Sequence, residues 1–285
     1  MSTWKQLSPS TYHRLAFGPA YGLTDVGVVR QSNQDNFLID PALRLVAVAD
    51  GMGGHEGGEI AAHLALSALR EALPAADPPP IHGDEGAAAA GVALDATLDP
   101  DATWQDEDMA ALLAAHQAVE HANARVHEAN LGNGQDEGAG MGATLTGFWQ
   151  CRPGGPLVVF HVGDSRLYRC RGGEVAVLTR DQTLYQQALE AGVGEDLPPR
   201  NLLLQAIGPA AAVAPDVELC AARPGDLYLL CSDGLYGNTP HAAIAQALAG
   251  ASAGSLDACC AELIALAKAH GSRDNITAVL ALVEN

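Results

Sequence analysis

The sequence predicts an α+β fold built on antiparallel sheet, and three observations carry that prediction. Most apolar residues fall in runs of about four to eight, the length of buried strands. These runs follow one another across Gly- and Pro-rich breaks instead of alternating with helices, which favours antiparallel pairing over repeated βαβ units. Helical periodicity is confined to two stretches in the first half and two near the C-terminus.

The elements read in order as follows. Residues 1–18 are set apart as an N-terminal extension. Gly22 to Val29 reads as a strand, Phe37 to Ile39 as a second apolar run, and Leu45 to Ala49 as a buried strand ending in Asp50-Gly51. A glycine-rich loop leads to a helix over Ile60 to Leu73, whose leucines share one side and which Pro74 closes. A second helix is expected from Met109 to Asn130, ending near Gly132. Short strands follow over Gly142 to Trp149, Leu157 to Val162, Ser165 to Arg171 and Glu174 to Leu178, with Arg171-Gly172-Gly173 as a hairpin signal. A longer irregular stretch runs from Asp181 to Pro215. Asp226 to Cys231 is a strand, His241 to Leu248 and Leu256 to His270 are helices, and Ile276 to Val283 is a closing strand.

Composition narrows the function classes. The chain has 285 residues, 48% of them hydrophobic and 17% charged, which suits a packed domain rather than a disordered one. No run approaches the ~18 apolar residues of a membrane span, and no apolar leader stands at the start, so a cytoplasmic protein without a membrane partner is expected. The formal charge of −19 argues against nucleic acid as a partner. A phosphate substrate stays allowed, because bound divalent cations invert the local field. Pro74 to Asp108 holds nine acids and no Lys or Arg, and reads as an acidic Pro/Ala-rich surface insertion at about 74–108. Six cysteines without C-x-x-C spacing read as reduced, buried thiols. His116, His121 and His127 lack the i, i+4 spacing of a helical metal site.

The chemistry is concentrated in one recurring arrangement. A carboxylate stands at the end of an apolar strand beside Gly or a polar turn in Asp50-Gly51, Gly163-Asp164-Ser165, Ser232-Asp233-Gly234 and Arg273-Asp274-Asn275. Strand ends of one sheet or sandwich can converge. Converging carboxylates repel unless cations neutralise them, and an all-oxygen set suits hard divalent metals. Arg30, five residues before Asp35, adds a guanidinium suited to gripping a phosphate.

These residues fall in blocks that together resemble the metal-dependent protein phosphatase 2C (PPM) family of serine/threonine phosphatases, in its compact bacterial form. The blocks are Val29-Arg30-Gln31-Ser32-Asn33-Gln34-Asp35-Asn36, Val48-Ala49-Asp50-Gly51-Met52-Gly53-Gly54-His55, Gly142-Ala143-Thr144 and Val162-Gly163-Asp164-Ser165-Arg166. They continue with Leu178-Thr179-Arg180-Asp181, Arg200-Asn201-Leu202, Ala206-Ile207-Gly208, Cys231-Ser232-Asp233-Gly234-Leu235 and Asp274-Asn275-Ile276-Thr277, in the family's order across residues 22 to 283.

The resemblance implies a four-layer α-β-β-α sandwich, formed by one domain over residues 19–285 with a flap at about 181–215. It implies two Mn²⁺ or Mg²⁺ ions, with a third site in bacterial members. Asp50 would bridge two metals, with the Gly51 carbonyl on the first and Asp233 and Asp274 on the second. Asp164 with Asp233 would form the third site, Asp35 would sit in the outer shell, and Arg30 would hold the substrate phosphate. The implied reaction is hydrolysis of phosphoserine and phosphothreonine in proteins by a metal-bridging hydroxide. The implied partners are phosphoproteins, including a cognate kinase or its substrates, and the expected state is a monomer.

Three positions depart from the common pattern. Met52 stands where many members carry a candidate general-acid histidine, leaving His55 and His161 as alternatives. Gln34 replaces a frequent Glu. Gln182-Thr183 replaces the usual His-Ser after Asp181. A rival reading keeps the fold but makes the chain a non-catalytic phosphoprotein-binding module. Retention of Asp50, Asp233, Asp274 and Arg30 argues against it. Gly-Asp-Ser could also suggest an esterase nucleophile, but the matching Asp-x-x-His is missing, since Ala267 precedes His270 by three. No D-x-[DN]-x-[DN]-G calcium loop is present.

Overall fold

A computed structural model describes residues 5–54, 57–74 and 106–284. The strands are β1 (His13–Leu15), β2 (Gly18–Asp25), β3 (Asp35–Asp40), β4 (Leu45–Met52), β5 (Gly142–Ala143), β6 (Leu145–Trp149), β7 (Leu157–Val162), β8 (Arg166–Arg171), β9 (Glu174–Val177), β10 (Asp216–Cys220), β11 (Leu227–Cys231) and β12 (Ile276–Leu282). The helices are α1 (Gly57–Ala72), α2 (Asp106–Gly132), α3 (Leu184–Glu190), α4 (Asp233–Tyr236), α5 (His241–Ala249) and α6 (Leu256–Ala269).

The strands form two sheets, and every pairing is antiparallel. One runs β1-β2-β12-β11-β8-β9. The other runs β10-β7-β6-β4-β3, with β5 added to β4. Three apolar layers hold the sandwich together. Phe37, Val48, Phe148, Tyr228 and Val279 meet between the sheets. Leu66, Leu69, Leu112 and Val119 of α1 and α2 cover the outer face of the second sheet. Ile244, Leu248, Leu263 and Ile264 of α5 and α6 cover the first. The α-β-β-α order expected from the family resemblance is the order observed.

Several details correct the sequence reading. The described part of the segment set apart as an extension is not separate from the domain: β1 pairs with β2 at the edge of the first sheet, and the apolar Leu15 and Phe17 lie in the inter-sheet core. Val26 to Val29 do not continue β2. Gly27 turns the chain at φ +77°, and a Cβ there would stand 2.1 Å from the Asp274 carbonyl oxygen. That close approach breaks the ladder and leaves Val28 and Val29 exposed. The acidic stretch ends sooner than its composition suggested. Asp106 to Asp108 open α2, and the buried Asp108 carboxylate accepts a 2.9 Å bond from Arg152. Residues 75–105 of that stretch lie outside the described residues. Strand β10 and helices α3 and α4 fall in stretches to which the sequence reading gave no element.

Candidate active site

The site lies at one end of the sandwich, where turns from both sheets meet. Asp35 opens β3 and pairs in register with Asp50 near the end of β4. Asp233 opens α4 directly after β11, and Asp274 immediately precedes Asn275 and β12. Asp164 sits in the β7–β8 turn. Arg30 projects from the loop between β2 and β3. A cavity of about 340 Å³ brings Arg30, Asp50, Asp164, Asp233 and Asp274 together. The sequence-predicted residues therefore converge, with Asp35 buried just beneath them.

Each carboxylate is positioned by a local bond network. Asp35 Oδ2 accepts from Ser232 Oγ at 2.7 Å and Thr277 Oγ1 at 2.6 Å, while its Oδ1 is buried without a partner. The Asp50 amide donates to Thr144 Oγ1 and the Thr144 amide donates back to the Asp50 carbonyl, both at 2.9 Å. Thr144 Oγ1 lies 2.7 Å from Ser165 Oγ, so β4 is tied to the turn that carries Asp164. Tyr236 Oη donates to the Asp164 carbonyl at 2.7 Å. Arg166 stacks over the Tyr236 ring and forks onto both carboxylate oxygens of Asp181, the first residue of the flap segment.

Asn275 organises the arginine loop and was quoted in the sequence motif without a role. Its Oδ1 accepts from the Gln34 amide, and its Nδ2 donates to the carbonyls of Val26 and Ser32. One side chain thus closes the loop that carries Arg30. The adjacency of Asp274 and Asn275 at a strand start was the available signal. Gly51 is fixed by crowding: a Cβ would stand 2.0 Å from the Gly58 carbonyl oxygen and 2.6 Å from that of Gln34.

The electrostatics are dominated by burial and mutual repulsion. Burial pushes Asp50 well above the usual carboxylate range, and Asp35, Asp233 and Asp164 add to the rise. Asp35 rises to about 6, through burial opposed by its two hydroxyl donors. Asp164 rises to about 8, again through burial, reinforced by Asp233 and Asp181. Asp233 is raised by burial and then by Asp274. Arg30 Nη2 donates to Asp274 Oδ2 at 2.7 Å, and that bond holds its guanidinium more firmly charged.

Among the described residues no three acidic, histidine or cysteine side chains are closed into a ready-made metal cage. The donor set nonetheless fits hard divalent cations. It consists of carboxylates and a backbone carbonyl, it carries excess negative charge in a buried place, and the orphaned Asp35 Oδ1 still lacks a donor. Of the alternative proton donors, His161 is buried away from the cavity, bonded to the Arg180 carbonyl and to Thr146 Oγ1. His55 lies outside the described residues. No histidine among the described residues lines the cavity.

Comparison with known proteins agrees with this geometry. Residues 28–280 match the family model described as Protein phosphatase 2C. The chain is 34% identical over 263 residues to the serine/threonine protein phosphatase PstP of Mycobacterium tuberculosis, covering 90% of this chain and 43% of that protein. It therefore spans less than half the length of that relative. It is 32% identical to a putative protein phosphatase 2C-type of Streptococcus pyogenes, covering 92% of this chain and 95% of the relative. Among solved structures, the catalytic domain of PstP in complex with two manganese ions superposes with a TM-score of 0.71 at 32% identity, covering 93% of this chain and 98% of that one. PppA of Pseudomonas aeruginosa, described as a regulatory component of a type VI secretion system, gives 0.70 at 28% identity, with coverage of 92% and 95%. With a family model spanning nearly the whole chain and a fold shared throughout, this chain belongs to the protein phosphatase 2C family.

Proposed function

We propose that the chain hydrolyses phosphoserine and phosphothreonine in proteins with the help of bound divalent cations. The observation that carries this reading is the convergence of Asp50, Asp164, Asp233 and Asp274 on one cavity with the Arg30 guanidinium at its rim. Asp50 and the Gly51 carbonyl would hold a first Mn²⁺ or Mg²⁺, with Asp50 shared by a second held by Asp233 and Asp274. Asp164 and Asp233 offer a third site, and Asp35 would act from the outer shell. Such ions supply an acidified water and positive charge facing the phosphate.

The protein's own groups support hydrolysis without a covalent intermediate. Ser165 is fully buried and spends its hydroxyl on Thr144. The Cys231 thiol is buried too, and burial holds it protonated. Neither can serve as nucleophile, so attack falls to water. Arg30 uses one nitrogen on Asp274 and keeps its other donors for phosphate oxygens, which fixes the ester in line with the carboxylate cluster. Phosphorylated Ser/Thr proteins, including a cognate kinase or its targets, are the partners this chemistry fits. A cytoplasmic, monomeric protein fits it as well. No helix among the described residues is long and apolar enough to cross a membrane.

The test is phosphate release from a phosphothreonine peptide with Mn²⁺, with Mg²⁺ and with EDTA. Release with metal and none with EDTA is the expected result. Phosphopeptide binding without release under any metal would transfer the reading to a binding module.

A further inference from the structure

A second cavity of about 450 Å³ adjoins the first and shares Arg30, Asp233 and Asp274 with it as a common wall. Its other sides are Val29, Asn238, Ser272 and Arg273. Arg273 is exposed and forms no ion pair or hydrogen bond among the described residues. Val29, also lining this cavity, is half exposed. An unspent guanidinium is notable here, because the chain carries 34 acids against 15 Lys and Arg. An arginine so placed has carboxylates available throughout the surface, yet it faces a groove.

We propose that this second cavity is a substrate subsite in which Arg273 reads an anionic side chain near the phosphorylated residue. The proposal rests on the phosphatase reading above. With the phosphate at Arg30, a bound peptide leaves the catalytic cavity past the wall both cavities share. In an extended segment, side chains two apart lie roughly 6.6 Å apart on one side, so a near neighbour of the phosphorylated residue reaches the second cavity. Arg273 meets it with a planar fork of donors that suits a carboxylate or a phosphate, and Val29 offers apolar surface beside it.

Asp233 and Asp274 face the same cavity with negative charge and oppose any anion there. Asp274 already holds Arg30, which offsets part of that field. Arg273 lies on the exposed side, so an anion can meet it before it meets the two carboxylates. The selectivity is therefore modest, up to about fivefold, as for an exposed ion pair.

The test compares a phosphothreonine peptide with neutral flanks, the same peptide with Glu scanned through the three positions on either side, and a version with a second phosphothreonine at the best position. The readout is the ratio of kcat/KM for anionic over neutral peptide, in wild type, Arg273→Ala and Arg273→Glu. A ratio of several-fold in wild type, falling to about one in Arg273→Ala and below one in Arg273→Glu, is expected, with the change in KM. The Glu and phosphothreonine arms separate a carboxylate from a phosphate as the preferred group. A wild-type ratio of one, or one that Arg273→Ala leaves unchanged, overturns the subsite. Turnover of p-nitrophenyl phosphate, which has no flanking residues, tests the phosphatase reading separately. The ratio of peptide Kd values, from fluorescence anisotropy in EDTA, reads the subsite even without turnover.

Discussion

Asp35 and Asp50 stand directly opposite each other in the β3–β4 ladder, two carboxylates on paired strands at the buried end of a sheet. Like charges opposed across strands destabilise a sheet, and burial deepens the penalty. Two hydroxyl donors compensate Asp35, and Asp50 has the open cavity, but the protein still carries acids held above their ordinary range. The end of the sandwich is thus poor as a stabilising element and well suited to cations.

Removing one of these charges should separate stability from activity. Asp50→Asn and Asp274→Asn are each expected to abolish phosphate release with the fold intact. Asp50→Asn should also raise the Tm of the protein in EDTA, at about 2–4 °C per kcal/mol of repulsion relieved. Near-normal turnover at saturating Mn²⁺ in either variant, or a lower Tm for Asp50→Asn in EDTA, contradicts this assignment.

The same acids set a pH dependence. Asp35 at about 6 and Asp164 at about 8 lie above the 3.8 of an unfolded aspartate, so the metal-free native state binds more protons between these values. Stability in EDTA should therefore fall as pH rises from about 4 to 8, the sign required by linkage. Saturating Mn²⁺ should flatten the slope. Urea unfolding at half-unit pH steps, with and without metal, measures it.

Arg30 should act on substrate affinity. It is half exposed and its bond to Asp274 spans two loops, so Arg30→Ala should leave the fold unchanged while KM for a phosphopeptide rises. A KM equal to wild type removes Arg30 from the phosphate site. Arg30→Lys should recover part of the affinity only, because an ammonium cannot grip two oxygens with a fixed fork.

His161 contributes the opposite slope. It is buried, and burial lowers its pKa below the ordinary 6.5 of an imidazole, so the unfolded chain takes up a proton that the native state resists. Its stabilising share is full above pH 6.5 and is lost as pH falls. The difference in unfolding free energy between wild type and His161→Gln should shrink toward acid by up to about 1.4 kcal/mol per pH unit. A difference independent of pH would show that His161 does not titrate on unfolding.

Much of the site is legible in the sequence. Asp50, Asp164, Asp233 and Asp274 each follow or precede an apolar strand, and one-dimensional pattern is enough to place a residue at a strand end. Asn275, Ser232 and Thr277 escaped assignment because their work is done across the chain. Thr277 reaches an aspartate 242 residues earlier, and no local spacing encodes that partner. The cavity beside Arg273 escaped for the same reason, since its walls come from three separate parts of the chain: the Arg30 loop, helix α4 with the residues after it, and the turn before β12.

The apolar runs, helical periodicity and breaks of the chain dictated antiparallel sheet, the long helices and the carboxylate-bearing turns, because each depends on neighbours within a few residues. Assembly in three dimensions decided the rest. Apolar Leu15 and Phe17 drew the supposed extension into the core, and Gly27 ended β2 early because the Asp274 carbonyl leaves no room for a side chain. The raised acids belong to the assembled state too. A lone aspartate in water titrates near 3.8, and it is packing beside other carboxylates, away from solvent, that lifts Asp35 and Asp164 above it.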